Sequence, residues 1–374
     1  MRDEFLPAHG GQLRELARKF DVPEATLVDF SASINPNPPS EALIYALCEA
    51  IRGRSILTSY PDMHYTDLKR AIAAYAAVDM SAIAVGSGVM PLLGAAVHAL
   101  GLHKCLVPVP SFAEYRKVLA VCGAECHSFT VTPEAEFLPD VEQMVRALKA
   151  SGAQAVLLAN PQSPSGRLMR AGSLLQLYEA ACAMGAATLV DEAFIDYAPD
   201  ESLCGWAAKL PGLIVLRSLT KFFSMPGLRV AYAVSTPEMK SRIEEALPAW
   251  PAGSVAAEAA RMALEDSASI DAARAANVEE RNWFADQLRS LGLRVFPSAA
   301  NYLLLKIDDG LDGLEFWRRM IVDYRVVLRC CANFEGLNER YFRIGVRARH
   351  DNRILLEAFK AALCRCSQAS PPPA

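Results

Sequence analysis

Ser218-Leu219-Thr220-Lys221-Phe222-Phe223-Ser224-Met225-Pro226-Gly227-Leu228-Arg229 decides how the rest of the chain is read. An apolar run, Leu213-Ile214-Val215-Leu216, precedes it and reads as a buried strand. A second apolar run, Leu228 to Val234, follows. A lysine held between two buried strands is costly to keep charged, so its pKa is expected to fall. Its neutral amine then attacks aldehydes. Ser218, Thr220 and Arg229 supply the hydroxyls and the cation that an anion site requires. Taken alone, the stretch also reads as a basic loop between strands, and the other strand ends separate the two readings.

Working outward, the 374 residues suffice for two domains, and 52% hydrophobic residues supply a sizeable core. A net charge of −4 argues against a nucleic-acid groove or a polybasic membrane surface. Met1-Arg-Asp-Glu-Phe5 carries charges and no apolar run, so no signal peptide is expected. The uncharged stretch Ala82 to His103 contains glycines and Pro91 and reads as strand, turn and helix rather than a membrane span. The ten cysteines form no C-x-x-C pair and the six histidines show no ligand spacing. Reduced thiols, a cytoplasmic location and no metal are expected.

Strands and helices alternate from Ile83 to Val190, with strands at Ile83–Val85, Cys105–Val109, Glu125–Val131, Ala155–Ala159 and Ala187–Val190. The alternation implies an α/β fold, a mostly parallel sheet sandwiched by helices. Helical segments dominate from Pro237 to Leu291, and beyond Gly292 the pattern becomes a smaller α+β domain. Expected strands there include Asn301 to Ile307, Arg325 to Arg329 and Tyr341 to Val346. The expected division is an N-terminal segment (1–40) packing on the small domain, a large domain (41–280), a small domain (281–368) and a disordered tail (369–374).

Ligands of open parallel sheets bind beyond the carboxyl ends of the strands. Four such ends carry unusual residues. Gly86-Ser-Gly88-Val89-Met90 enters a helix, where free amides attract phosphate, although it is neither a dinucleotide nor a Walker motif. Asn160-Pro-Gln-Ser-Pro-Ser-Gly166 ends a buried strand in a rigid loop. Asp191-Glu192 ends another, either as a helix cap or as a partner for a buried cation. Lys221 is the fourth. A lysine, a carboxylate, an amide and a glycine-rich helix start suit a ligand with an aldehyde, a ring nitrogen, a phenolic oxygen and a phosphate. Pyridoxal phosphate has all four.

Asn-Pro…Pro-Ser-Gly, Asp-Glu-Ala-Phe and Ser-x-Thr-Lys…Gly-Leu-Arg, in this order, resemble the fold-type I pyridoxal-phosphate enzymes of the class I/II aminotransferase superfamily, over His9 to about Phe359. His9-Gly-Gly11, Asp29-Phe-Ser-Ala-Ser-Ile-Asn-Pro36, Tyr60-Pro-Asp62 and Asn333-Phe-Glu-Gly-Leu337 resemble its threonine-phosphate decarboxylase branch. That branch is related to histidinol-phosphate aminotransferases and acts in cobalamin synthesis. The resemblance implies that Lys221 joins the cofactor's aldehyde, Asp191 pairs with the ring nitrogen and Asn160 donates to the phenolic oxygen. It implies a phosphate site of Ser218, Arg229 and the amides of Gly88, Val89 and Met90, with Phe112 stacked on the ring.

Tyr60 would reach the phosphate held by the partner subunit, so a homodimer is implied. Arg329 and Arg343, each within an apolar strand, would bind the anionic groups of a phosphorylated amino-acid substrate, with His9 and Asn35 near the entrance. Arg347 and Arg349 read instead as rim charges. Phe194 stands where many relatives have a tyrosine, and Met90 where Thr or Asp is common. Three functions follow: decarboxylation of L-threonine O-3-phosphate, a histidinol-phosphate-type aminotransferase, or a non-catalytic scaffold. The intact Asp191, Lys221 and Arg229 argue against the last.

Overall fold

The computed structural model describes residues 6–368. The segment Met1–Phe5 and the tail 369–374, expected to be disordered, lie outside the described residues. The large sheet has seven strands. From edge to edge they are Ile83–Gly86, Ala231–Val234, Leu213–Ser218, Ala187–Asp191, Ala155–Ala159, Lys104–Val109 and Glu125–Thr130. Only Ala231–Val234 runs against its neighbours.

Both faces of this sheet are covered, which is why its strands read as continuous apolar runs. Leu213 and Val215 join one core with the helices Thr66–Ala76, Val141–Ser151, Ala171–Ala183 and Ser254–Glu265. Ile214 and Leu216 join another with the helices Val89–Leu100, Glu114–Val121 and Pro237–Glu245. Each of these four strand residues is fully buried. Burying such a side chain contributes about 1.5–3 kcal/mol, so both faces hold the strands in register. Helix starts follow capping chemistry: Ser40 accepts from the Leu43 amide, and Asp140 from the Gln143 amide.

A second, antiparallel sheet orders Arg329–Cys330, Tyr341–Gly345, Tyr302–Lys306 and Arg294–Val295 around its own core. The single strand expected over Arg325–Arg329 is divided. Val326–Val327 pairs in parallel with Val28–Asp29, while Arg329–Cys330 pairs with Tyr341–Gly345. The N-terminal stretch thereby completes a two-stranded ribbon against the C-terminal part, and the Gly345 amide donates to the Phe30 carbonyl. The helical stretch expected over Pro237 to Leu291 forms three helices, Pro237–Glu245, Ser254–Glu265 and Ser267–Ser290, the last with the Asp266 side chain accepting from the Ser269 amide. The second strand expected from Leu228 starts only at Ala231, because Pro226–Leu228 forms a 3-10 turn. Among the described residues no helix is long and apolar enough to cross a membrane, and no group of acidic, histidine or cysteine side chains could hold a metal ion.

Candidate active site

The carboxyl ends of the central strands open into a cavity of about 240 Å³. His9, Gly88, Val89, Met90, Phe112, Asp191, Ser218, Lys221, Arg229, Arg329 and Arg343 all line it. Residues from the N-terminal segment, both sheets and a helix start therefore meet in one space. Four cationic side chains (Lys221, Arg229, Arg329, Arg343) face one carboxylate, Asp191. None of the four forms an ion pair among the described residues. The cavity is thus built for anions.

Lys221 follows the turn after Leu213–Ser218. Burial, and then the positive charges of Arg343 and Arg229, press its amine down to about 8, with Asp191 opposing them. The direction of the shift is the one expected for a lysine whose charge is costly to keep between buried strands. Asp191 ends the adjacent strand. Its Oδ2 accepts from the Tyr115 hydroxyl at 2.6 Å and its Oδ1 from the Ala193 amide at 2.9 Å. Burial raises its pKa, while those two donors and Lys221 oppose the rise.

Gly88 precedes the first turn of the helix Val89–Leu100, where free amides point outward. Gly88 has a φ of 135°, which L side chains rarely adopt, and a Cβ there would lie 2.8 Å from Arg229 Nη2, so glycine suits the approach of the arginine to this helix start. Arg229 itself has a left-handed φ of 44° and donates to the Pro226 carbonyl at 3.3 Å. Ser218 and Thr220 share a hydroxyl hydrogen bond of 2.7 Å in the same wall. A helix start, two hydroxyls and an arginine converge there as an anion cradle.

Arg329 is buried and donates to the carbonyls of Ala8 and Cys330 and to Asn333 Oδ1. Its guanidinium lies 4.9 Å from the Phe334 ring centroid. Burial and the neighbouring Arg343 charge push it down to about 10. Arg343 donates to the Ser31 carbonyl at 3.1 Å and to Ser163 Oγ at 3.3 Å. Arg347 and Arg349 differ sharply: they pair with Asp351 at 2.9 Å and with Glu280 at 2.7 Å.

Three residues singled out in the sequence stand elsewhere. Asn160 is fully buried behind the cavity wall, exchanging two hydrogen bonds with the Met169 backbone. Asn35 does not line the cavity; its Nδ2 donates to the Phe222 carbonyl, and its amide to that of Lys221. Both bonds tie the N-terminal segment to the lysine loop. Tyr60 is 79% exposed and stacks on Trp250, away from this chain's cavity. Conversely, Tyr115, Ser33, Ser163 and Phe334 surround the site without having been singled out for it. Tyr115 had a signal, because it stands three residues beyond Phe112, and although the helix begins only at Glu114 the two rings meet edge-on.

A seven-stranded, mostly parallel sheet with a lysine, an aspartate and an anion cradle at its carboxyl end defines a pyridoxal-phosphate enzyme of fold type I. The chain belongs to the aminotransferase class I and II family, whose model matches residues 25–361. It is 32% identical over 364 residues to threonine-phosphate decarboxylase of Salmonella typhimurium, covering 96% of this chain and 97% of that one. It is 30% identical to histidinol-phosphate aminotransferase 2 of Archaeoglobus fulgidus, over 91% and 94% of the two chains. Among solved structures, histidinol-phosphate aminotransferase from Sinorhizobium meliloti in complex with pyridoxal-5'-phosphate superposes with a TM-score of 0.84 at 20% identity, covering 98% of this chain and 99% of that one.

The residues present fit the cofactor. A cradle that a Cβ would fill, a buried carboxylate held by two donors and an amine near neutrality occupy one cavity.

Proposed function

We propose that this enzyme decarboxylates L-threonine O-3-phosphate to (R)-1-amino-2-propanol O-2-phosphate, as in cobalamin synthesis. The observation that carries this reading is a convergence. Of the stretches that resemble the decarboxylase branch, His9-Gly-Gly11, Ser31–Pro36 and Asn333–Leu337 are those that favour a decarboxylase over an aminotransferase, and they meet around Arg329 and Arg343. Ala8, next to His9, and Asn333 accept from Arg329. Ser31 accepts from Arg343. Gly10 packs so closely that a Cβ there would lie 2.0 Å from the Ser31 carbonyl oxygen.

In this reading Arg229, Ser218 and the amides of Gly88, Val89 and Met90 hold the cofactor phosphate, Asp191 meets its ring nitrogen, and Phe112 covers one ring face. The resemblance gives Asn160 the phenolic oxygen, whereas here its side-chain amide braces the wall through the Met169 backbone. Bound pyridoxal phosphate supplies an electron sink for the pair released when a bond to Cα breaks. Arg329 and Arg343 take the substrate carboxylate and phosphate, two anions for two cations that lack carboxylate partners. By fixing both ends they select which Cα bond is weakened. The Cα–carboxylate bond breaks, CO₂ leaves, and a proton from the Lys221 ammonium or from a water replaces it at Cα.

The rival reading is a histidinol-phosphate-type aminotransferase, favoured by the Archaeoglobus fulgidus relative. Histidinol phosphate carries one anion and an imidazole, so it leaves one arginine without a counter-charge. The enzyme is also proposed to act as a homodimer in the cytoplasm. Six of the twelve exposed large apolar side chains among the described residues (Ile44, Tyr45, Ile51, Leu57, Tyr60 and Met63) fall within residues 44–63. A partner seated there would bring Tyr60 toward the neighbouring site.

Incubating holoenzyme with threonine phosphate separates the two reactions. Release of CO₂ with the cofactor remaining in its aldehyde form is expected. Conversion of the cofactor to its amine form with no CO₂ would assign an aminotransferase instead.

A further inference from the structure

We infer that Tyr115 is a positioning residue that holds Asp191 as an anion aimed at the cofactor's ring nitrogen. Tyr115 lies in the first helical turn of Glu114–Val121, fully buried against the cavity wall. Its hydroxyl donates to Asp191 Oδ2 at 2.6 Å. Its ring meets Phe112 edge-on, with centroids 5.8 Å apart. One side chain thus fixes both the carboxylate beyond the ring nitrogen and the aromatic expected over the ring face.

The chemistry needs such a donor. A carboxylate buried in protein is pushed toward its neutral form, and neutral Asp191 could not stabilise a protonated ring nitrogen. The groups facing Asp191 are the Tyr115 hydroxyl, the Ala193 amide and the Lys221 charge, with the buried Tyr302 phenol close enough to feel the carboxylate's charge but giving it no hydrogen bond. Lys221 is consumed as a cation once its amine joins the cofactor's aldehyde. Tyr115 and the Ala193 amide then remain as the donors that favour the anion. Burial and the Asp191 charge hold the Tyr115 phenol well above its ordinary value, so it stays a donor throughout the working range. Hydrogen bonds to charged groups are worth about 1.5–3 kcal/mol, which corresponds to roughly 10- to 100-fold in the protonation equilibrium.

The inference rests on Asp191 being the partner of the ring nitrogen, not on which substrate is decarboxylated or transaminated. The test uses holoenzyme carrying ¹⁵N-labelled pyridoxal phosphate, read by the ring-nitrogen chemical shift across pH. In the native enzyme the nitrogen stays protonated. In Tyr115→Phe, which keeps the ring and its contact with Phe112, the shift should move toward that of unprotonated pyridine at a pH at least one unit lower. The turnover number should fall about tenfold with KM changed less than about twofold. An unchanged nitrogen titration in Tyr115→Phe overturns the role of Tyr115.

Asp191→Asn in the same experiment separates the two layers. If it too leaves the nitrogen unchanged, the assignment of Asp191 itself falls. Should Tyr115→Phe fail to fold, replacing tyrosine by ring-fluorinated tyrosine, a stronger donor, reads the same bond in reverse. The nitrogen should then hold its proton to higher pH, and no movement would again refute the inference.

Discussion

Asp191 and Glu192 are neighbours in sequence, and so are Ser218 and Arg217, yet each pair is divided between two regions of opposite character. Asp191 and Ser218 line the cavity. Glu192 and Arg217 turn away into a sealed cluster, where Arg217 pairs with Asp196 and lies 3.5 Å from Glu192. Period-two alternation along a strand is enough to send adjacent side chains to opposite sides. In the sealed cluster cation and carboxylates are paired with one another, although Asp196 Oδ2 and Arg217 Nε keep no hydrogen-bond partner. Tyr75 donates to Asp196, Ser202 and the Leu203 amide donate to Glu192, and the Arg217 guanidinium lies 5.7 Å from the Tyr232 ring centroid. In the cavity, cations stand without carboxylate partners. The difference teaches where the molecule is held together and where it is left ready for a ligand.

The largest effect that could break this contrast is on stability. Arg217→Met strands two buried carboxylates, Asp196 and Glu192, and is expected to cost about 3–5 kcal/mol in denaturant unfolding. The folded fraction should turn over within about twofold of the native rate. A variant of native stability that lost turnover would place Arg217 in the chemistry and dissolve the distinction. Arg343→Ala makes the opposite test. It removes a cation that lacks a carboxylate partner, so unfolding free energy should change by no more than about 1 kcal/mol. Its kcat/KM for threonine phosphate should fall about hundredfold. A large loss of stability with kcat/KM intact would make Arg343 a structural tie between Ser31 and Ser163 rather than a substrate ligand.

The sealed cluster and the cavity were unequally legible. The strand ends that build the cavity announce themselves, because Asp191, Asn160 and Lys221 each interrupt or follow an apolar run. The anion cradle was readable too, since Gly86-Ser-Gly88 sits between a strand and a helix. The large sheet's strand positions follow from burial on both faces. The division of Arg325–Arg329 between two sheets was not legible. Its pairing depends on Val28–Asp29, some 300 residues away, and no local pattern encodes that partner. Asn160 and Asn35 show a further limit. A polar residue at a strand end or near an entrance can be consumed by backbone groups, here those of Met169 and Phe222. Nothing in one sequence tells a ligand donor from such a brace. The role of Arg217 as a closed hub was hidden because its carboxylates come from a different strand end.

The smallest effect is the sharpest probe of the cation-rich side. An ordinary lysine has about one neutral amine in 2,500 at pH 7, whereas one near 8 has about one in ten. Cofactor uptake by the cofactor-free enzyme requires that neutral amine. The rate of appearance of the visible absorption band should therefore rise about tenfold from pH 7 to 9 and flatten above the lysine's pKa of about 8. The sign follows from the base: raising pH through a lowered pKa releases the nucleophile early. Burial is the largest cause of the shift, and Arg343 the next. Arg343→Ala should accordingly move the bend to higher pH while leaving it below the ordinary lysine value. A rate that climbs steadily through pH 9 without a bend would show that Lys221 behaves as a solvated amine. In that case the crowding of positive charge would serve the substrate's anions alone and would not prepare the nucleophile.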